Sequence, residues 1–136
     1  MELPAPDTPV VCDLSTARDT PEQRLDEYHR LFASAFVGKE RVGDDEIRFR
    51  LRADDGVVDW VRDLAAREKA CCAFFAFEIA EAGDEIVWDV AVIDNDAARA
   101  VLDEFYALTE NASESVEDLH ARFINKGLAF VNSVDT

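Results

Sequence analysis

From Glu46 to Arg52 the chain alternates without a break: Ile47, Phe49 and Leu51 are apolar, and Arg48, Arg50 and Arg52 stand between them. Successive side chains of a strand point to opposite faces, so this run has one dry face and one wet face. Such a strand belongs to a sheet covered on one side. The cover has to come from amphipathic helices elsewhere in the chain.

Those helices are read from a change of period. Thr20-Pro21-Glu22-Gln23 opens the first: Thr20 caps, Pro21 fits the first helical position and Gln23 completes a capping box. Leu25, Tyr28, Leu31, Phe32, Ala35 and Phe36 then recur at helical spacing until Gly38 ends the pattern. A second helix follows the caps offered by Asp54-Asp55-Gly56 and runs from about Val57 to about Cys72. Asp94-Asn95-Asp96 caps a third, whose apolar face is Ala98, Val101, Leu102, Phe105 and Leu108. A short last helix is expected from Ser115 to Gly127.

Further strands are expected at Pro9–Leu14 and in a hairpin of Phe75–Ile79 and Glu85–Val92, turned at Ala82-Gly83-Asp84. Leu128–Val131 offers a final one. The order is β-α-β-α-β-β-α-α with a last β optional. The class is α+β: a single mixed or antiparallel sheet with helices mainly on one face. The whole chain, 1–136, reads as one domain, with residues 1–9 a flexible lead-in and residues 109–115 a polar linker. A chain of this length buries roughly 65–70% of its unfolded surface and needs no staples.

The net charge of −16, from 30 acidic and 14 basic residues, repels phosphate backbones and anionic membrane faces. Neither nucleic acid nor membrane is an expected partner. Metal ions, small molecules and basic surfaces are, and a homodimer is compatible. No basic leader, long apolar run or lipidation signal occurs, so the cytoplasm is the default location. Three cysteines are an odd number, which argues against a closed disulfide framework and for free thiols in a reducing compartment.

Cys71 and Cys72 are adjacent at the end of the second helix, and Cys12 lies on the first strand-like stretch. On a wheel of ~100° per residue, Val57, Val61 and Leu64 define the buried stripe of that helix. Glu68 falls near the middle of the stripe, with Cys71 at i+3 and Cys72 at i+4. A carboxylate there needs protonation, an arginine or a metal. The row Arg48, Arg50, Arg52 is one source of an arginine, and that row can also answer other acids of the chain or an anionic ligand.

Thiolates bind soft ions such as Hg(II), Cu(I), Zn(II) and trivalent arsenic, and Cys12 would supply a third sulfur. A helix C-terminus disfavours a free thiolate. Ligation, where the ion itself strips the proton, therefore fits better than cysteine nucleophilic catalysis. His29 and His120 share no ligand spacing and read as boundary or surface residues.

The segment Glu68-Lys69-Ala70-Cys71-Cys72-Ala73-Phe74-Phe75-Ala76-Phe77, together with Cys12-Asp13-Leu14-Ser15, resembles a group of small bacterial proteins. Their shared pattern is Glu-x-x-Cys-Cys-x-Phe-x-x-Phe after Cys-x-Leu-Ser, and the likeness covers about residues 10–108. Many members have proline where this chain has Ala73. The resemblance implies ligand positions more than a function. The residue types are also similar to those of organomercurial lyase, which implies two thiolates from among Cys12, Cys71 and Cys72 and Glu68 as the acid that protonates a leaving carbon.

Three functions follow as expectations. The first is a soft-metal or metalloid thiolate protein with Cys12, Cys71 and Cys72 as ligands and Glu68 as acid, extending to action on an organometal. The second is a non-catalytic ligand-binding or protein-interaction module with an inert Cys-Cys pair. The third is redox switching, which requires a disulfide from Cys12 to one member of the pair.

Overall fold

The structure is a computed structural model that describes residues 1–13, 15, 17–110, 121, 125 and 129–131. Its strands are β1 (Val11–Asp13), β2 (Phe36–Gly43), β3 (Glu46–Arg52), β4 (Phe75–Ala82), β5 (Glu85–Val92) and β6 (Ala129–Val131). The helices are α1 (Pro21–Ala35), α2 (Val57–Cys71) and α3 (Asp96–Tyr106), the last followed by one 3₁₀ turn, Ala107–Thr109. Most of the expected last helix and of its linker lies outside the described residues, as does His120.

The fold is α+β. Four strands form an antiparallel sheet in the order β2-β3-β5-β4. The expectation of one sheet needs extension, because β1 pairs in parallel with β6 as a separate two-stranded unit.

A second correction concerns β2. The first helix stops at Ala35, short of Gly38, and Phe36 already belongs to a strand. This strand shows no alternation because it is mostly exposed and its register slips twice against β3, between Phe36 and Gly38 and between Arg41 and Gly43. It is an edge strand held by its ladder to β3 more than by burial of its own side chains, so hydrophobic period does not reveal it.

Local signals explain the other boundaries. The Thr20 hydroxyl accepts from the Gln23 amide at 3.1 Å, and the Gln23 side chain accepts from the Thr20 amide at 2.9 Å. The Asn95 side chain accepts from the Ala97 and Ala98 amides at 2.8 and 3.1 Å. The second helix differs from expectation: its N-cap is Gly56 at φ 82°, with no side-chain cap from Asp54 or Asp55. Gly83, at φ 65°, is the first of two residues between β4 and β5, a position where a positive φ favours glycine.

The dry face of the sheet is as the alternation requires. Ile47, Phe49 and Leu51 of β3, with Ile86, Trp88 and Val90 of β5, are fully buried. Helices supply the opposing rings. Phe49 lies 5.0 Å from Phe32 of α1, and Trp88 lies 5.8 Å from Phe105 of α3, edge to face. Each such side chain contributes about 1.5–3 kcal/mol by leaving water. Phe74 and Phe75, which follow the cysteine pair, are also fully buried and belong to this core.

The arginine row on the other face answers the chain's own acids. Arg48 meets its cross-strand partner Asp89 at 2.6 Å, Arg50 meets Glu85 at 3.5 Å and Arg52 meets Asp54 at 3.3 Å. The amino terminus of Met1 lies 3.5 Å from Glu78 on β4, so the lead-in touches the sheet. Among the described residues no helix is long and apolar enough to cross a membrane.

Phe49 sits where β3, α1 and α3 meet. Phe49→Ala should cost about 3–5 kcal/mol in urea unfolding. Val37→Ala on the exposed edge strand should change stability by less than about 0.5 kcal/mol. Equal effects at the two positions would contradict the one-sided core.

Candidate functional site

The end of α2 gathers the chemistry. Cys71 is its last residue and Cys72 its C-cap, whose amide still bonds to the Glu68 carbonyl at 2.7 Å. At φ −124° and ψ 82° Cys72 leaves the helix. Lys69 donates to the carbonyls of Ala73 and Phe75 at 2.8 and 2.5 Å and so holds the exit. The expected third sulfur is here as well: Cys12 of β1 forms a disulfide with Cys72 across 60 residues of sequence, with Cα atoms 4.5 Å apart. Cys71 is a buried free thiol.

The expectation of three free thiols is thereby corrected. An odd cysteine count excludes full pairing, but one bond with one thiol left over satisfies it. Such a bond is uncommon in reducing compartments, which weakens the inference to a cytoplasmic location. In the chain-entropy view, a loop of this length stabilises the fold by about 4 kcal/mol. Among the described residues no three or more His, Cys, Asp or Glu side chains are grouped to hold a metal ion.

Glu68 lies where the helical wheel puts it, with 15% of its side chain exposed. Its arginine partner is not in the row on β3 but is Arg24 of α1, at 3.3 Å. Tyr28, four residues further along α1, donates its hydroxyl proton to the other carboxylate oxygen at 2.8 Å. The Glu68 carboxylate also approaches Cys72 Sγ at 3.9 Å. A disulfide sulfur has no proton to give, so this is a contact and not a hydrogen bond.

Burial pushes the Glu68 carboxyl above the usual carboxylate range, against the opposing pull of Arg24 and Tyr28. Burial likewise raises the Cys71 thiol, although Arg24 beside it works the other way. The Tyr28 hydroxyl is raised by burial and by Glu68.

A charged seam extends from this point between α1 and α2. Arg24 forks onto Asp19 at 2.6 and 2.7 Å. Arg67 reaches Asp19 at 3.0 Å, Glu27 at 2.6 Å and Asp63 at 2.7 Å. The indole of Trp60 donates to Glu27 at 2.6 Å. Asp19 is held below its ordinary value chiefly by its hydrogen bond from Arg24, and Glu27 chiefly by its bond from Arg67.

Sequence reasoning finds Glu68 and the cysteines but misses Arg24, Asp19 and Arg67. Spacing carries a faint trace of them: Arg24, Glu27 and Tyr28 share one face of α1, and Asp63, Arg67 and Cys71 share one face of α2. A cavity of about 170 Å³ opens at this seam, lined by Arg18, Arg24, Asp63, Arg67 and Cys71 among others. The free thiol therefore borders a recess whose charged lining is three arginines and one aspartate.

Arg24→Met should destabilise the chain by about 3 kcal/mol, because it removes one cationic partner from each of two largely buried acids, Asp19 and Glu68. Tyr28→Phe removes one bond to Glu68 and should cost about 1 kcal/mol. The two acids act oppositely with pH. Glu68 is raised on folding, so its contribution is full below its unfolded value near 4.3 and is lost as pH rises through the folded value. Asp19 is lowered, so its contribution is present above about 3.9 and lost as pH falls through the folded value. Urea titrations against pH should show Glu68→Gln flattening the alkaline side of that window and Asp19→Asn flattening the acid side.

The chain matches no family model, no curated protein and no solved structure.

Proposed function

We propose that this chain binds a soft metal or metalloid ion through its cysteine sulfurs when they are reduced. Cys12 and Cys72 are the two principal ligands in this reading. Cys71 is the third sulfur, and Glu68 is the acid beside them. The observation that carries the proposal is the meeting of Cys12 and Cys72, far apart in sequence, at one point against a largely buried carboxyl group.

Reduction of that pair leaves two thiols whose backbones are already held close. Soft ions favour this kind of sulfur donor, and they displace the thiol protons on binding. Glu68 places a carboxyl oxygen 3.9 Å from Cys72 Sγ, the residue type that would deliver a proton in cleavage of a carbon–metal bond.

A second reading has its own support. All three sulfurs are buried, and Glu68 already has two donors. That pattern also suits a structural cross-link in a non-catalytic binding module. The readings part on thiol reactivity. Reduction with a phosphine followed by titration with Hg(II), read by sulfur-to-metal charge-transfer absorption, should show uptake of one ion per chain. Cys12→Ser and Cys72→Ser should each weaken uptake by more than about 100-fold, beyond the loss typical of a residue that only supports a ligand. Unchanged uptake in both variants, or thiols that react only after unfolding, would leave the structural cross-link as the function of the pair.

A further inference from the structure

The sulfurs that the proposed soft-ion site needs are the same sulfurs that the disulfide consumes. Each of Cys12 and Cys72 can bond to its counterpart or to an ion, not to both. Geometry makes the exchange between these states small. A disulfide holds its sulfurs about 2.05 Å apart. Two thiolates sharing one ion at about 2.3 Å each sit roughly 4 Å apart. Opening from one arrangement to the other requires one sulfur to move by about 2 Å.

The element that has to give way is suited to it. β1 is three residues long, lies outside the four-stranded sheet and pairs only with the equally short β6 among the described strands. Its partner in the bond is at a helix end whose backbone has already left helical geometry.

We propose that the Cys12–Cys72 bond is a redox gate on the soft-ion site, closed by oxidation and opened by a low-molecular-weight thiol, so that ion binding and disulfide formation exclude one another. The proposal rests on the soft-ion reading above. In the opening step a small thiolate attacks one sulfur of the pair, forms a mixed disulfide and releases the other cysteine as a thiol. A second small thiolate attacks its own kind in the mixed disulfide and releases the second cysteine. Two small thiols thus become one small disulfide, and their two electrons and two protons pass to Cys12 and Cys72. Closing is the reverse reaction, with the small disulfide as oxidant. Cys71 takes no part in the bond; it remains a thiol in both states and lines the separate recess between α1 and α2.

Linkage gives the gate a second property. An ion that binds only the dithiol stabilises it, so each tenfold rise in free ion above the dissociation constant favours the reduced chain tenfold, or about 30 mV of reduction potential.

The test uses the folded 136-residue chain in reduced and oxidised glutathione at the ratio of a reducing cell interior. Thiols are counted by alkylation and intact mass. The count should pass reversibly from one to three, and chain preloaded with Hg(II) should return to the disulfide at least tenfold more slowly when oxidised glutathione is added. Cys71→Ser should still switch, by the same two thiols, and Cys12→Ser should not switch. A bond that opens only in denaturant overturns the gate and leaves the soft-ion reading to be decided on phosphine-reduced chain. Equal Hg(II) uptake by oxidised and reduced chain overturns the gate while keeping an ion site, then centred on Cys71. Switching without any Hg(II) uptake by the reduced chain sinks the soft-ion reading and the gate with it.

Discussion

The hydroxyl of Tyr28 and the carboxyl of Glu68 form the contact on which the interior turns. The Tyr28 ring stacks on Phe32 and Trp88 and meets Phe105 edge-on, so it is part of the aromatic core. Its oxygen bonds to Glu68, so it is also part of the charged seam between α1 and α2. An aromatic side chain with a polar tip is well placed where a dry interior borders a polar one. If the ring shifts, Glu68 loses a donor and Trp88 loses a neighbour together. Core packing and the environment of the cysteines are therefore one mechanical unit.

Much of this was legible in the residues. The alternation of Ile47, Phe49 and Leu51 with three arginines gives the sheet its dry face, because the period of two is imposed by the backbone itself. The boxes at Thr20 and Asn95 mark helix starts because each answers backbone amides locally. The edge strand Phe36–Gly43 left no such mark, since it is held by hydrogen bonds to a neighbour and not by a buried stripe. Arg24 and Arg67 escaped notice for a related reason. A charged residue on an amphipathic helix normally faces water, and only the approach of a second helix decides which of them meet acids.

Reading Glu68 as buried followed from its place on the wheel, and so did its need for a partner. The identity of that partner did not follow. It comes from α1, 44 residues earlier in the chain, while the nearer-looking arginines of β3 are spent on acids of their own sheet and loop. The pairing of Cys12 with Cys72 in preference to Cys71 was equally hidden. Cys71 is the last residue of the helix and Cys72 its cap, and it is the cap that is bonded to Cys12.

The sheet order carries a consequence for how the chain is made. β5 lies between β3 and β4, although it is the last of the four to be synthesised. While the polypeptide emerges from a ribosome, the inner edge of β3 waits through α2 and β4 with no strand to pair with. The loop between Cys12 and Cys72 can already be tied at that stage, but the centre of the sheet and Trp88 arrive only with residues 85–92. Vectorial synthesis therefore exposes an apolar strand edge until the hairpin folds back, which is the interval in which aggregation competes with folding.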